Sequence, residues 1–189
     1  YMLDMVCGFL KELKNEGKNE FKISVNFSRI TLNDENFVKR VSSIISKYDI
    51  DKENLLAEIT ESILAKGKEK GIENVKWLRS LCISIALDDF GSGYTSFADM
   101  SNYPIDYIKI DKSILDNAEN EKSRAILAGL IKFGHELKIE VLCEGVETRQ
   151  QAEMLRKMHC DMIQGYYYYR AMSSEMTKNL LEKQLTKKN

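Results

Sequence analysis

The sequence predicts an α/β fold of the TIM type: a (β/α)8 barrel, N-terminally truncated, with about six βα units visible. Three observations predict it. Apolar segments of strand period alternate with segments of helical period along the whole chain. Each strand segment ends in a polar residue at the same end, as a barrel that gathers its site from many strands requires. No glycine-rich loop follows the first strand, as an open doubly wound sheet would need at its switch point. Residues 1–189 carry no Pro- or Ser-rich linker, low-complexity tract or repeat, so one barrel domain is expected.

The elements follow in order. Residues 2–14 place Leu3, Val6, Leu10 and Leu13 on one helical face, with Gly17 as a stop. The first strand is FKISVNFS, 21–28. Residues 36–48 repeat Phe37, Val41, Ile44, Ile45 and Tyr48 at helical spacing, and LLAEITE, 55–61, is the second strand. A helix over 72–81 leads into CISIALDD, 82–89, the third strand. YIKID, 107–111, is the fourth, followed by a helix over 123–137. IEVLCEGV, 139–146, and DMIQGY, 161–166, flank a helix over 149–158, and a polar helix at 174–185 ends the pattern.

The composition is that of an ordinary globular domain: 43% hydrophobic, 30% charged, formal net charge −1. No bulk positive field invites DNA or RNA. No apolar run nears the roughly 18 residues of a membrane span, and no leader pattern is present, so a cytoplasmic domain is expected; segments outside this piece could still attach a longer protein to a membrane. Cys7, Cys82, Cys143 and Cys160 show neither CxxC spacing nor clustering with His135 or His159 in a zinc-ligand pattern, which argues against a structural zinc site or a disulfide framework; reduced, buried thiols are expected.

The polar strand ends carry the chemistry. Ser24, Asn26 and Ser28 share a face of the first strand, and Glu58 and Thr60 a face of the second. Asp88 and Asp89 end the third, Lys109 and Asp111 the fourth, Glu144 the fifth with Glu147 beyond it, and Gln164 the sixth. Carboxylates on apolar stems such as ISIAL and IEVL repel one another in a partly dry pocket unless cations neutralise them. Hard oxygen donors without His or Cys suit Mg²⁺, Mn²⁺ or Ca²⁺. A one- or two-metal oxygen cage for water attack on a phosphate ester is the expected chemistry.

SVNFS, AEITES, LDDFGSGYTS, PIDYIKIDKS, EVLCEGVET and CDMIQGYYY stand in the order and spacing of the EAL-domain phosphodiesterases, which hydrolyse cyclic di-GMP, and from about residue 3 to 175 the chain resembles that family. The resemblance implies two divalent ions, Mg²⁺ or Mn²⁺, held by Asn26, Glu58, Asp88, Asp89 and Glu144, with Asp88 bridging. It implies that Lys109 contacts the attacking water, that Glu144 serves as ligand or base, and that Asp111, Gln164 and Glu147 orient the site or bind substrate. It makes Glu61 the anchor of a loop that bends at Gly91 and Gly93 and couples the site to a homodimer contact. Ser92 replaces the family's usual threonine, and YYRAMS departs from its frequent proline turn. The Glu-Ala-Leu motif is not in this chain, and six strands are visible where a barrel closes with eight. The chain is therefore expected to be a piece of a longer protein, and the resemblance implies a GGDEF or sensory domain as a possible upstream neighbour.

Blander readings stand beside these. Asp88 and Asp89 alone could be an N-cap and a turn former, and Lys109 and Asp111 could neutralise each other. Glu147 fits the first turn of a helix, and Glu61 could be a solvated strand-end charge. The tyrosine run at 166–169 is expected to pack one face rather than stack a guanine. Two rival functions remain: a catalytically inactive EAL domain serving as a cyclic di-GMP receptor or protein-interaction scaffold, and a different Mg²⁺-carboxylate barrel enzyme of the enolate-forming kind.

Overall fold

A computed structural model describes residues 1–61, 63, 69–91, 100, 103–118 and 120–185. Six parallel strands lie in sequential order, β1 (Ile23–Phe27), β2 (Leu55–Thr60), β3 (Ser84–Phe90), β4 (Tyr107–Ile110), β5 (Glu140–Cys143) and β6 (Met162–Ile163). Sequential order excludes the doubly wound alternative, whose strands reverse direction of progression at a switch point. The architecture is the wall of a TIM-type barrel. Among the described residues no helix is long and apolar enough to cross a membrane.

The sheet's two faces have different chemistry. Val25, Phe27, Leu55, Ala57, Ile59, Ile85, Leu87, Ile108, Ile110, Val141 and Cys143 point outward and are buried under helices. The alternate residues Asn26, Glu58, Asp88 and Lys109 point to the concave face, because strand side chains alternate.

The covering helices follow the apolar spacing. Helix α1 (Met2–Asn15) buries Leu3, Cys7, Leu10 and Leu13. Ser28 caps a short α2 (Arg29–Leu32), accepting from the Thr31 amide. Helix α3 (Phe37–Ile45) buries Phe37, Val41 and Ile45, and α4 (Glu69–Ser80) buries Val75 and Leu78. Phe37 bridges Phe27 and Trp77 edge-on, with ring centroids 5.7 and 6.1 Å away, which locks these helices onto β1. Asp111 caps α5 (Lys112–Asp116), and Asn120 caps α6 (Glu121–Glu136). Helix α7 (Arg149–Lys157) opens with a reciprocal Thr148–Gln151 capping box, and α8 (Ser174–Leu185) ends the described chain.

The structure corrects several expectations. α2 and α5 are too short to show a helical period, and only their caps mark them. β5 stops at Cys143 because Gly145 takes φ +71°, which ends extended backbone. β6 keeps two residues; Tyr166, Tyr167, Tyr168 and Tyr169 follow in a turn and are all exposed, so the run does not bury one face, although Tyr167 and Tyr168 meet edge-on with centroids 4.9 Å apart. Cys82 is exposed, in the left-handed turn (φ 65°) that joins α4 to β3. Cys7 and Cys143 are buried, and burial pushes the Cys143 thiol up to about 12, far from a reactive thiolate.

Candidate functional site

The site grows from one sheet irregularity. Leu87 pairs with Ile108 and Phe90 with Ile110, so Asp88 and Asp89 together oppose the single residue Lys109. This is a β-bulge, with Asp89 at φ +56°. In a regular strand two adjacent aspartates would point to opposite faces; the bulge inserts one extra residue and re-aims its side chain. Asp tolerates the left-handed region better than most residues, and Gly91 follows at φ +97°. Phe90 is thereby returned to the outer face, where it stacks on Phe133 at 6.5 Å.

Lys109 is the centre of the concave face. Its Nζ lies 3.0 Å from Glu58 Oε1, 2.8 Å from Asp88 Oδ1 and 2.7 Å from Glu144 Oε1. Lys109 and Glu58 are each only 6% exposed. Burial alone would push the ammonium's pKa down, but the three carboxylates outweigh it and hold Lys109 well above the ordinary lysine value. Glu144 is raised by burial, with the Lys109 ammonium opposing that shift. Asp89 is raised by burial and then by its like-charged neighbours Asp88 and Asp111. Four carboxylates against one ammonium leave the cluster short of positive charge.

The remaining residues divide clearly. Asn26 is the register partner of Glu58 and so shares its face one strand away. Asp111 accepts from the Ser113 amide as the cap of α5, and the Ser113 donors hold its carboxyl below the usual range; it makes no ion pair with Lys109. Gln164 binds through its backbone, donating to Cys143 O and accepting from Val146 N, while its side chain is exposed. Glu147 pairs with Lys112 at the rim and precedes the cap of α7 instead of entering its first turn. Glu61 is 3% exposed, which excludes a solvated charge. Ser92, Gly93 and the rest of the loop expected to couple the site to a homodimer contact lie outside the described residues.

The bulge and Lys112 escaped sequence reasoning. A bulge has no periodic signature, although an Asp pair before a glycine is the composition that tolerates one.

The donors around Lys109 are of the kind that hard divalent ions take, all carboxylate or amide oxygens. Their placement here suits an ammonium at 2.7–3.0 Å, longer than the roughly 2.0–2.1 Å of a Mg²⁺ bond. Among the described residues no group of three or more His, Cys, Asp or Glu is gathered to hold a metal. The residues fit such an ion in chemical kind.

Comparison with known proteins places this geometry among relatives. The profile of the EAL domain matches residues 1–171. The oxygen sensor protein DosP of Escherichia coli K12 is 33% identical over 176 residues, 93% of this chain and 22% of that protein. The cyclic di-GMP phosphodiesterase NbdA of Pseudomonas aeruginosa is 31% identical over 91% of this chain and 22% of its own length. The chain thus spans about a fifth of these relatives. The solved PaMucR phosphodiesterase in its c-di-GMP complex superposes with a TM-score of 0.87 at 27% identity, covering 93% of this chain and 71% of that one.

Proposed function

The chain belongs to the EAL-domain family, and from that premise we propose that it hydrolyses cyclic di-GMP to linear pGpG with the help of Mg²⁺ or Mn²⁺. The observation that carries the reading is the convergence of Glu58, Asp88 and Glu144, from three separate segments, on the buried Lys109 ammonium. NbdA, a relative over most of this chain, is a cyclic di-GMP phosphodiesterase, and that kinship supports the substrate.

Asn26, Glu58, Asp88, Asp89 and Glu144 would hold the ions, two in number, which when bound lower the pKa of water and neutralise phosphate charge. The protein's own residues do the rest. Lys109, fixed on three sides, orients a water against the phosphate and offsets charge that develops there. Glu144, its carboxyl raised by burial, is placed to accept that water's proton. Asp111 and the Gln164 backbone fix the strand ends that present these groups. In the full protein a GGDEF or sensory domain upstream supplies the input.

The test is turnover of cyclic di-GMP with Mg²⁺ or Mn²⁺, with pGpG resolved by chromatography. Asp88→Asn should lower kcat by at least about a hundredfold, as removal of one site charge does, while circular dichroism stays unchanged. Full activity in that variant ends the mechanism. Binding without turnover by the wild-type protein would instead make the chain a cyclic di-GMP receptor.

A further inference from the structure

The turn that presents Glu144 is held on each side by a different device. Its Glu144 amide donates to Ile110 O at 3.1 Å. Val146, fully buried, donates to Gln164 O and accepts from the Tyr167 amide, both at 3.0 Å. A side chain on Gly165 would collide with the Val146 backbone, so the β6 segment lies directly against the turn. On the far side the Glu147 amide donates to Gln151 Oε1 at 2.8 Å. On the side facing β4, the strand that carries Lys109, the Ile110 bond reaches only Glu144, the first residue of the turn.

Lys112 closes that side. Its stem crosses Gly145 so closely that a Cβ there would lie 2.6 Å from Lys112 Cβ and Cδ, and Gly145 is already left-handed at φ +71°. Its ammonium then pairs with Glu147 at the other end of the turn. Lys112 itself is anchored, as the first residue of α5 behind the Asp111 cap. One side chain therefore straddles the turn from the β4 side, three residues along the chain from Lys109.

We propose that Lys112 is a positioning residue: by strapping Gly145 and Glu147 it holds the Glu144 carboxylate against Lys109. Its catalytic consequence rests on the phosphodiesterase reading above; the strap itself does not. The pair is about half exposed, so its contribution to global stability is small. Placement is a different matter, because a shift of about 1 Å at a reacting group can cost a hundredfold in rate.

Three substitutions and two readouts test it. Lys112→Met keeps an apolar stem over Gly145 and removes the charge; Lys112→Arg keeps both; Glu147→Gln removes the partner. Lys112→Met and Glu147→Gln should retain the wild-type Tm within about 2 °C, lower kcat for cyclic di-GMP about tenfold and leave KM within about twofold. Lys112→Arg should recover most of the loss. Amide hydrogen exchange supplies a readout independent of activity: the Glu144 and Val146 amides should exchange about two- to fivefold faster in Lys112→Met, the worth of one exposed pair. Wild-type exchange and kcat in Lys112→Met overturn the proposal. If those amides speed up while the wild-type protein cleaves no cyclic di-GMP, the strap stands and the phosphodiesterase reading falls.

Discussion

Asp89 sits at φ +56°, exposed, beside Asp88 and near Asp111, with its carboxyl raised by burial first and by those charges second. A carboxyl whose folded pKa is raised adds stability that is fully present below its ordinary value and is lost as pH rises through the raised one. At neutral pH Asp89 therefore weakens the fold. Asp89→Asn should raise Tm at pH 7 by a small amount, on the order of 1–2 °C for a screened and partly exposed repulsion. Asn also suits the left-handed backbone. The gain should shrink to nothing as pH falls through the ordinary carboxylate range, where the wild-type residue takes up its proton. Thermal melts of the two proteins across pH check this; a gain that persists at acid pH would mean that charge is not its origin. Stability sacrificed at a charged cluster is the common sign of a working site.

At the scale of elements, the bulge in β3 and the turn after it decide what the strand can present. Gly91 has φ +97°, a conformation that costs other residues roughly 1–3 kcal/mol. A Cβ there would also meet Ile114 Cδ1, but that is the tip of a side chain able to rotate away. Backbone strain sets the cost. Gly91→Ala should lower Tm by about 2–12 °C and reduce turnover with it, since the same turn fixes Asp88 and Asp89; a wild-type Tm in that variant would show the turn to be free of strain. The strands and long helices were legible in the sequence because their apolar residues recur at fixed periods, as in Phe37, Val41 and Ile45 or Ile85 and Leu87. α2 and α5 were not, because four or five residues are too few to show a period. The polar strand ends were equally legible, and Asn26, Glu58, Asp88, Lys109 and Glu144 do reach one face. What spacing could not convey is who touches whom: that Lys109 takes three carboxylates while Asp111 serves as a helix cap follows from the bulge and from backbone geometry.

For the whole molecule, the balance between apolar and ionic contacts varies across the fold. The β2–β4 region is lined by side chains with no exposure at all, among them Leu55, Ile59, Ile85 and Leu87. Helix α8 is held otherwise. None of its described side chains is buried. It meets α1 and the turn after it through Lys178, paired with Glu12 and 3.6 Å from Glu16, and through Glu182, 3.0 Å from Lys18. Lys178 also lies 5.7 Å from the centre of the Phe9 ring. Contacts of this kind weaken as salt shortens the Debye length from about 10 Å at 0.1 M to about 3 Å at 1 M, whereas buried apolar packing does not. Raising salt over that interval should therefore accelerate amide exchange in Ser174–Leu185 several-fold while the amides of Ile59 and Ile85 stay protected. Lys178→Gln should produce the same acceleration at low salt and blunt the further effect of adding it. Exchange in α8 as slow and as indifferent to salt as that of β3 would show that the helix is packed rather than tethered. The expected result makes α8 an independently opening unit joined to α1 by charge, and leaves the sheet that carries Lys109 unaffected when it opens.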